Sequence, residues 1–244
     1  MPKYGMTIDL DRCTGCRACM VACKIENNTS QTAFWMYVFR LEEGTFPDAK
    51  VSFLPRPCQH CDNAACVKVC PVGARYKRDD GIVATDWDRC IGCRYCEVAC
   101  PYGVNYFNYK DPKKGQYMDW KDPDIQVATA GVVPGWSNPD LDNKFGSENR
   151  SIAGSNHIKG VMEKCTFCVQ RVEKDMSPAC VDTCPTHAIQ FGDLDDPNSA
   201  PSIAAREKSG FKLLEDRNTQ PRVTYLGSTF SPGAREIERP SVRE

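Results

Sequence analysis

Only three histidines occur in the 244 residues, His60, His157 and His187, so a metal site built mainly on imidazole is short of ligands from the outset. Long hydrophobic runs are missing as well. The most apolar stretch, "AFWMYVF" at 33–39, falls far below the roughly 20 residues that a bilayer-spanning helix requires. No sign of charge dominates: 31 lysines and arginines meet 32 acidic residues, for a net charge of −1. That balance argues against nucleic acid or an anionic lipid surface as a partner. The first residues, "MPKYGMTIDL", show no basic segment running into an apolar one. No secretory signal is expected there, and the chain by itself is expected to be soluble. Phosphate-cradling G-x-G-x-x-G and P-loop patterns and the G-x-S-x-G nucleophile elbow are also absent, so no residue is assigned a catalytic role.

Cysteine is what the chain has in excess. Sixteen fall into four sets of four with none left over: Cys13, Cys16, Cys19, Cys23; Cys58, Cys61, Cys66, Cys70; Cys90, Cys93, Cys96, Cys100; and Cys165, Cys168, Cys180, Cys184. Disulfide scaffolds of this density are mostly short and secreted. The tight C-x2-C spacing suits thiolates converging on metal instead. Zinc ribbons use such pairs too, but they rarely follow C-x2-C-x2-C-x3-C-P, which is the third set and the bacterial ferredoxin run for a 4Fe–4S cluster. With sixteen thiols filling four sites, the three histidines are not needed as ligands.

In two-cluster ferredoxins the first three cysteines of a run hold one cluster and the fourth holds its neighbour. Sets two and three lie close in sequence and form one such unit. Cys58, Cys61, Cys66 and Cys100 then share one cluster, and Cys90, Cys93, Cys96 and Cys70 another. Sets one and four complete each other across the chain, giving Cys13, Cys16, Cys19 and Cys184 for one cluster and Cys165, Cys168, Cys180 and Cys23 for the other. One ferredoxin unit is thus inserted into a second.

This reading explains a repeat. "DRCTGCRACMVACK" at 11–24 returns as "DRCIGCRYCEVACP" at 88–101, with ten of the first thirteen positions identical. In every set the last two cysteines are four apart, so "CMVAC", "CVKVC" and "CEVAC" are expected as single helical turns whose ends share a face. Proline stops the helix after Cys70, Cys100 and Cys184, whereas Lys24 lets the first run on as a longer helix or is merely tolerated. Met6–Asp9 and the segment ending at Asp86 are expected as strands entering cysteine loops. "GARYKRDDGIVATD" at 73–86 is expected as a hairpin turning at Asp80-Gly81. Residues 188–193 and 222–227 are further candidate strands. Arg12, Arg17, Lys24, Arg89, Arg94 and Lys164 stand beside ligands, where each is either a tuner of cluster potential or plain solvated charge.

The expected fold class is α+β: two interlocked bacterial-ferredoxin-like units, a loop-rich insertion and an extended C-terminal tail. Residues 1–50 open the first unit with set one, 51–107 form the second unit with sets two and three, and 159–200 close the first with set four. Residues 108–158, cysteine-free and carrying Trp120 and Trp136, are expected to face a partner. Residues 201–244 are a C-terminal extension whose last part, after Leu226, is expected to fray or to drape over another subunit.

The four sets, "MTIDLDRCTGCRACMVACKIEN", "KCTFCVQRVEK" and "CPTHAIQFGDLDDP" resemble the four-cluster iron–sulfur subunits of membrane oxidoreductases in the molybdopterin superfamily, such as dimethyl sulfoxide, polysulfide and tetrathionate reductases. The likeness covers about residues 4–107 and 160–227. The insertion before "GVMEKCTFCVQR" looks most like the subunits of the menaquinone-reductase (Qrc-type) complex and of alternative complex III. The resemblance implies a non-catalytic subunit carrying electrons between a periplasmic partner and the quinone pool. Its implied partners are an integral-membrane quinone-binding subunit, a molybdopterin-like subunit and a multihaem cytochrome c. The implied place is the periplasmic face of a membrane complex, reached by export with a signal-bearing partner. It further implies that the unit of sets two and three faces the membrane subunit. Full cysteine sets permit four 4Fe–4S clusters, although some relatives hold one 3Fe–4S cluster. The alternatives are a subunit of a terminal polysulfide, tetrathionate or arsenate reductase, and a free-standing polyferredoxin.

Overall fold

The computed structural model describes residues 1–30, 32–109, 123–128, 130, 144–154, 157–230 and 234–236. In chain order its first half comprises β1 (Tyr4–Asp9), α1 (Ala18–Glu26), β2 (Tyr37–Glu43), β3 (Lys50–Arg56), α2 (Ala65–Lys68), β4 (Arg75–Lys77), β5 (Val83–Thr85), α3 (Tyr95–Ala99) and β6 (Tyr106–Phe107). The second half comprises α4 (Pro123–Ala128), β7 (Lys144–Phe145), β8 (Arg150–Ser151), β9 (Met162–Glu163), α5 (Val169–Val172), α6 (Ala179–Asp182), β10 (Ile189–Asp193), α7 (Ala200–Glu207), β11 (Gly210–Phe211), β12 (Val223–Leu226) and β13 (Arg235–Glu236). The elements are short because the loops between them carry the chemistry. This is a mixed α/β architecture.

Two sheets place the cysteine loops. β1 runs into the first set and pairs antiparallel with β10, which leaves the fourth set, from Tyr4 opposite Asp193 to Ile8 opposite Ile189. β12 flanks β1 in parallel, and β11 closes the order β10-β1-β12-β11. The second arrangement is the same in miniature. β4 leaves the second set, β5 leads toward the third, and they pair antiparallel around the turn at Gly81. Helix packing follows suit, with α1 against α6 and α2 against α3.

α1 spans nine residues, whereas α2, α3 and α6 span four, five and four. Lys24 is therefore more than tolerated. Its ammonium turns inward and donates to the carbonyls of Ser30 (2.6 Å) and Ala33 (3.0 Å) and to Thr29 Oγ1 (3.2 Å). It ties down the chain that follows the longer helix.

The β2–β3 hairpin, with Tyr37 opposite Arg56 and Glu43 opposite Lys50, was not expected from the sequence. Its strands are rich in aromatic and β-branched residues, which suit a pleated, half-buried surface. Arg56 covers the Phe39 ring at 4.6 Å. The tail adds β13 to the edge of this same hairpin, Arg235 opposite Glu42, so this part of it lies on its own chain. Of the insertion, Trp120 and Trp136 fall outside the described residues. Its later part enters the interior: Ile152, Ala153 and His157 are buried, and Trp87 N–H donates to the Ser151 carbonyl at 2.8 Å.

Candidate metal centres

The four cysteine loops share one local device. The residue two places after the first cysteine has positive φ in every set: Gly15 (69°), His60 (43°), Gly92 (68°) and Phe167 (55°). That twist turns a backbone N–H back onto the first sulfur, as from His60 to Cys58 Sγ at 3.5 Å and from Phe167 to Cys165 Sγ at 3.4 Å. In the first and third sets glycine also makes room for a close neighbour. A Cβ on Gly15 would come within 2.3 Å of the Phe53 ring, and one on Gly92 within 2.1 Å of the Gly160 carbonyl oxygen. The fourth cysteines accept similar bonds, Cys70 from Arg75 N–H (3.4 Å) and Cys184 from Ala188 N–H (3.3 Å).

Three cavities gather the thiols. Cys58, Cys61, Cys66 and Cys100 line one; Cys70, Cys90, Cys93 and Cys96 line a second; Cys13, Cys16, Cys19 and Cys184 line a third. The remaining four, Cys23, Cys165, Cys168 and Cys180, are all buried. Asn27 joins two of them, its amide donating toward Cys23 Sγ at 3.6 Å and Cys168 Sγ at 3.7 Å. Among the described residues no three His, Cys, Asp or Glu side chains close on the space of a single metal ion.

Burial makes these thiols reluctant acids. It pushes Cys19, Cys61 and Cys165 up to about 12, and Cys66 and Cys168 to about 11, with neighbouring cysteines adding to the shift at Cys19, Cys61 and Cys165. Cys23 and Cys180 rise well above the ordinary thiol value for the same reason. A metal centre supplies the compensating positive charge, so binding and loss of the thiol protons are coupled. The donor set fits iron–sulfur clusters: four thiols to a site, sulfurs already hydrogen-bonded by backbone N–H groups, and a buried cation beside them.

That cation is Arg75, which the sequence reading passed over. It is 2% exposed, lines the third-set cavity and donates from Nη2 to Cys96 Sγ at 3.2 Å. Of the cations expected beside ligands, Lys24 and Lys164 turn inward. Lys164 donates to the carbonyls of Val83 and of Cys165. Arg12, Arg89 and Arg94 are exposed, and Arg17 is half-buried. The imidazoles of His60 and His157 find partners other than sulfur. His60 Nδ1 accepts from Val83 N–H at 3.0 Å, and its ring stacks on Phe167 at 3.7 Å. His157 binds Glu163 Oε1 (2.6 Å) and the Asn27 carbonyl (2.7 Å). The contact of His60 with Phe167 joins the second set to the fourth, and burial followed by the nearby Cys58 thiol is what shifts Cys165 most.

Comparison with known proteins agrees with this chemistry. Two models, each of a 4Fe–4S dicluster domain, match the chain, one over residues 49–117 and 151–194 and the other over 12–74. The arsenate respiratory reductase iron–sulfur subunit of Shewanella sp. (strain ANA-3) is 41% identical over 93% of this chain and 97% of its own length. A putative dimethyl sulfoxide reductase iron–sulfur subunit of Halobacterium salinarum is 38% identical over 96% of this chain and 82% of its own. The menaquinone reductase iron–sulfur cluster-binding subunit of Nitratidesulfovibrio vulgaris is 37% identical over 92% and 88%. Sixteen cysteines in two dicluster domains make four 4Fe–4S clusters the cofactors. The chain therefore belongs to the four-cluster, ferredoxin-type electron-transfer iron–sulfur subunits shared by dimethyl sulfoxide, arsenate and menaquinone reductases.

Proposed function

We propose that the chain is the electron relay of a membrane-bound complex, linking a periplasmic molybdopterin-like or cytochrome c partner to a quinone-binding membrane subunit. Two interlocked ferredoxin-like units build it, 1–50 with 159–200 and 51–107. The clusters supply one-electron chemistry when bound. Their ligands are Cys13, Cys16, Cys19 and Cys184; Cys165, Cys168, Cys180 and Cys23; Cys58, Cys61, Cys66 and Cys100; and Cys90, Cys93, Cys96 and Cys70.

The carrying observation is the gradient of exposure along this series. Helix α1 links the first group to the second through Cys19 and Cys23. The His60–Phe167 stack links the second to the third, and α3 links the third to the fourth through Cys96 and Cys100. Cys16 in the first group and Cys93 in the fourth are exposed, whereas all four cysteines of the second group are buried. Such a series has two accessible ends and a protected middle, which suits a relay between two docked partners better than a free polyferredoxin.

The fourth group is the end proposed to face the membrane subunit. Ile91, Tyr95 and Val98 beside it are 63%, 55% and 81% exposed, an apolar surface of the kind that marks a protein contact. Replacing Tyr95 and Val98 together by Glu should leave iron content intact while releasing the protein from the membrane fraction. Retained, quinone-coupled activity in that variant would refute this docking face. The likeness to an arsenate respiratory reductase subunit supports a second reading, in which the relay serves a terminal reductase. The turnover of the purified complex with arsenate against that with cytochrome c separates the two.

A further inference from the structure

The two units use the same exit from their cysteine loops but end it differently. "CPVGAR" at 70–75 and "CPTHAI" at 184–189 both run Cys, Pro, a variable residue, a residue with positive φ (Gly73 62°, His187 50°) and a buried alanine into the first residue of a strand. That first residue lines the terminal cavity of its unit. It is Arg75 in the cavity of Cys70, Cys90, Cys93 and Cys96, and Ile189 in the cavity of Cys13, Cys16, Cys19 and Cys184. Both are buried, at 2% and 3% exposure.

From this exchange we infer that Arg75 raises the reduction potential of the cluster at its own end, and that Ile189 leaves the opposite end without that aid. The wire is thereby made unequal at its two termini. The inference rests on the ligand assignment proposed above. Arg75 Nη2 lies 3.2 Å from Cys96 Sγ, and its Nε and Nη1 have no hydrogen-bond partner among the described residues although they are buried. No carboxylate among the described residues forms an ion pair with it. Reduction adds one negative charge, and an unneutralised cation in a low-dielectric setting favours the more negative state. A hydrogen bond to a ligand sulfur acts in the same direction. Lys164, the other cation buried beside the second unit, spends donors on two backbone carbonyls and makes no sulfur bond among the hydrogen bonds described.

The test is a redox titration followed by electron paramagnetic resonance on the anaerobically purified complex, with signals assigned through the Cys16→Ser and Cys93→Ser variants. Arg75→Met should lower the midpoint of the third-set cluster by at least tenfold in its reduced-to-oxidised ratio, about 59 mV for one electron. The midpoint of the first-set cluster should move by less than a third of that. Arg75→Lys, which keeps the charge, should recover at least half of the shift. Arg75→Met with all four clusters present and the third-set midpoint unmoved overturns the inference, as does an equal movement of both termini. If Arg75→Met fails to assemble, Arg75→Lys is compared with Arg75→Gln, which keeps a donor and loses the charge. A tenfold separation supports the inference and equal midpoints overturn it. Wild-type protein lacking iron would instead refute the cluster assignment.

Discussion

Gly15 and Gly92 occupy the same place in the repeated cysteine loop, yet alanine should cost very different amounts at the two. Both have φ near 69°, so a Cβ carries the same left-handed penalty of about 1–2 kcal/mol at each. The neighbours differ. At Gly92 the new Cβ would sit 2.1 Å from the Gly160 carbonyl oxygen, where real contacts essentially never fall below 3.0 Å, so backbone must move by nearly 1 Å. Overpacking of that kind adds about 1–3 kcal/mol. At Gly15 the obstacle is the half-buried Phe53 ring, a side chain that can rotate away. Gly92→Ala should therefore cost about 2–5 kcal/mol and Gly15→Ala about 1–2. The assay is the rate at which visible cluster absorbance bleaches in guanidinium, together with iron per chain. Since 1.36 kcal/mol is tenfold in a rate, Gly92→Ala should bleach roughly tenfold or more faster. It should also lose iron from the third-set site first. Equal behaviour of the two variants, or greater damage from Gly15→Ala, would refute the steric argument.

Cys23→Ser should damage the cluster of Cys165, Cys168 and Cys180 and spare that of Cys13, Cys16 and Cys19; spectra showing the reverse would end the interlocked arrangement. Elemental analysis should find about sixteen irons per chain with matching acid-labile sulfide, four to each site, and dominant zinc would contradict it. His157→Gln should destabilise the protein by about 3 kcal/mol, because Glu163, 1% exposed, loses its buried cationic partner and keeps the neutral Asn108 amide. Burial alone would lower the His157 pKa, but the Glu163 carboxylate 2.6 Å away raises it above 6.5. A raised histidine pKa contributes stability fully below the unfolded value, and that contribution is lost as pH rises through the folded one. The gap between wild type and His157→Gln in resistance to guanidinium should accordingly shrink from pH 6 to pH 9, and a constant gap would count against the charged pair.

Where local spacing governs, the sequence alone was enough. The turns of α1, α2 and α3, the hairpin at Gly81 and the strands at 189–193 and 223–226 follow from four-residue periodicity, proline and turn chemistry, whereas the longer reach of α1 past Lys24 was one of two readings until the structure decided it. The cofactor type followed too, since cluster ligation writes itself into cysteine intervals. Tertiary structure decided the rest. Nothing local marks Arg75 as different from the exposed Arg89 or Arg94. It becomes a sulfur donor only because β4 pairs with β5 and closes it over the third-set cavity. Asn27 reaches a sulfur 141 residues away only because the fourth cysteine loop folds back onto the end of α1. His60 and Phe167 read as a stray imidazole and a stray ring until the second and fourth loops meet. Short-range geometry is set by bonds and backbone sterics, which any stretch of sequence displays. Burial of a charge and the meeting of distant loops depend on sheet pairing across the whole chain, and only the folded molecule fixes them.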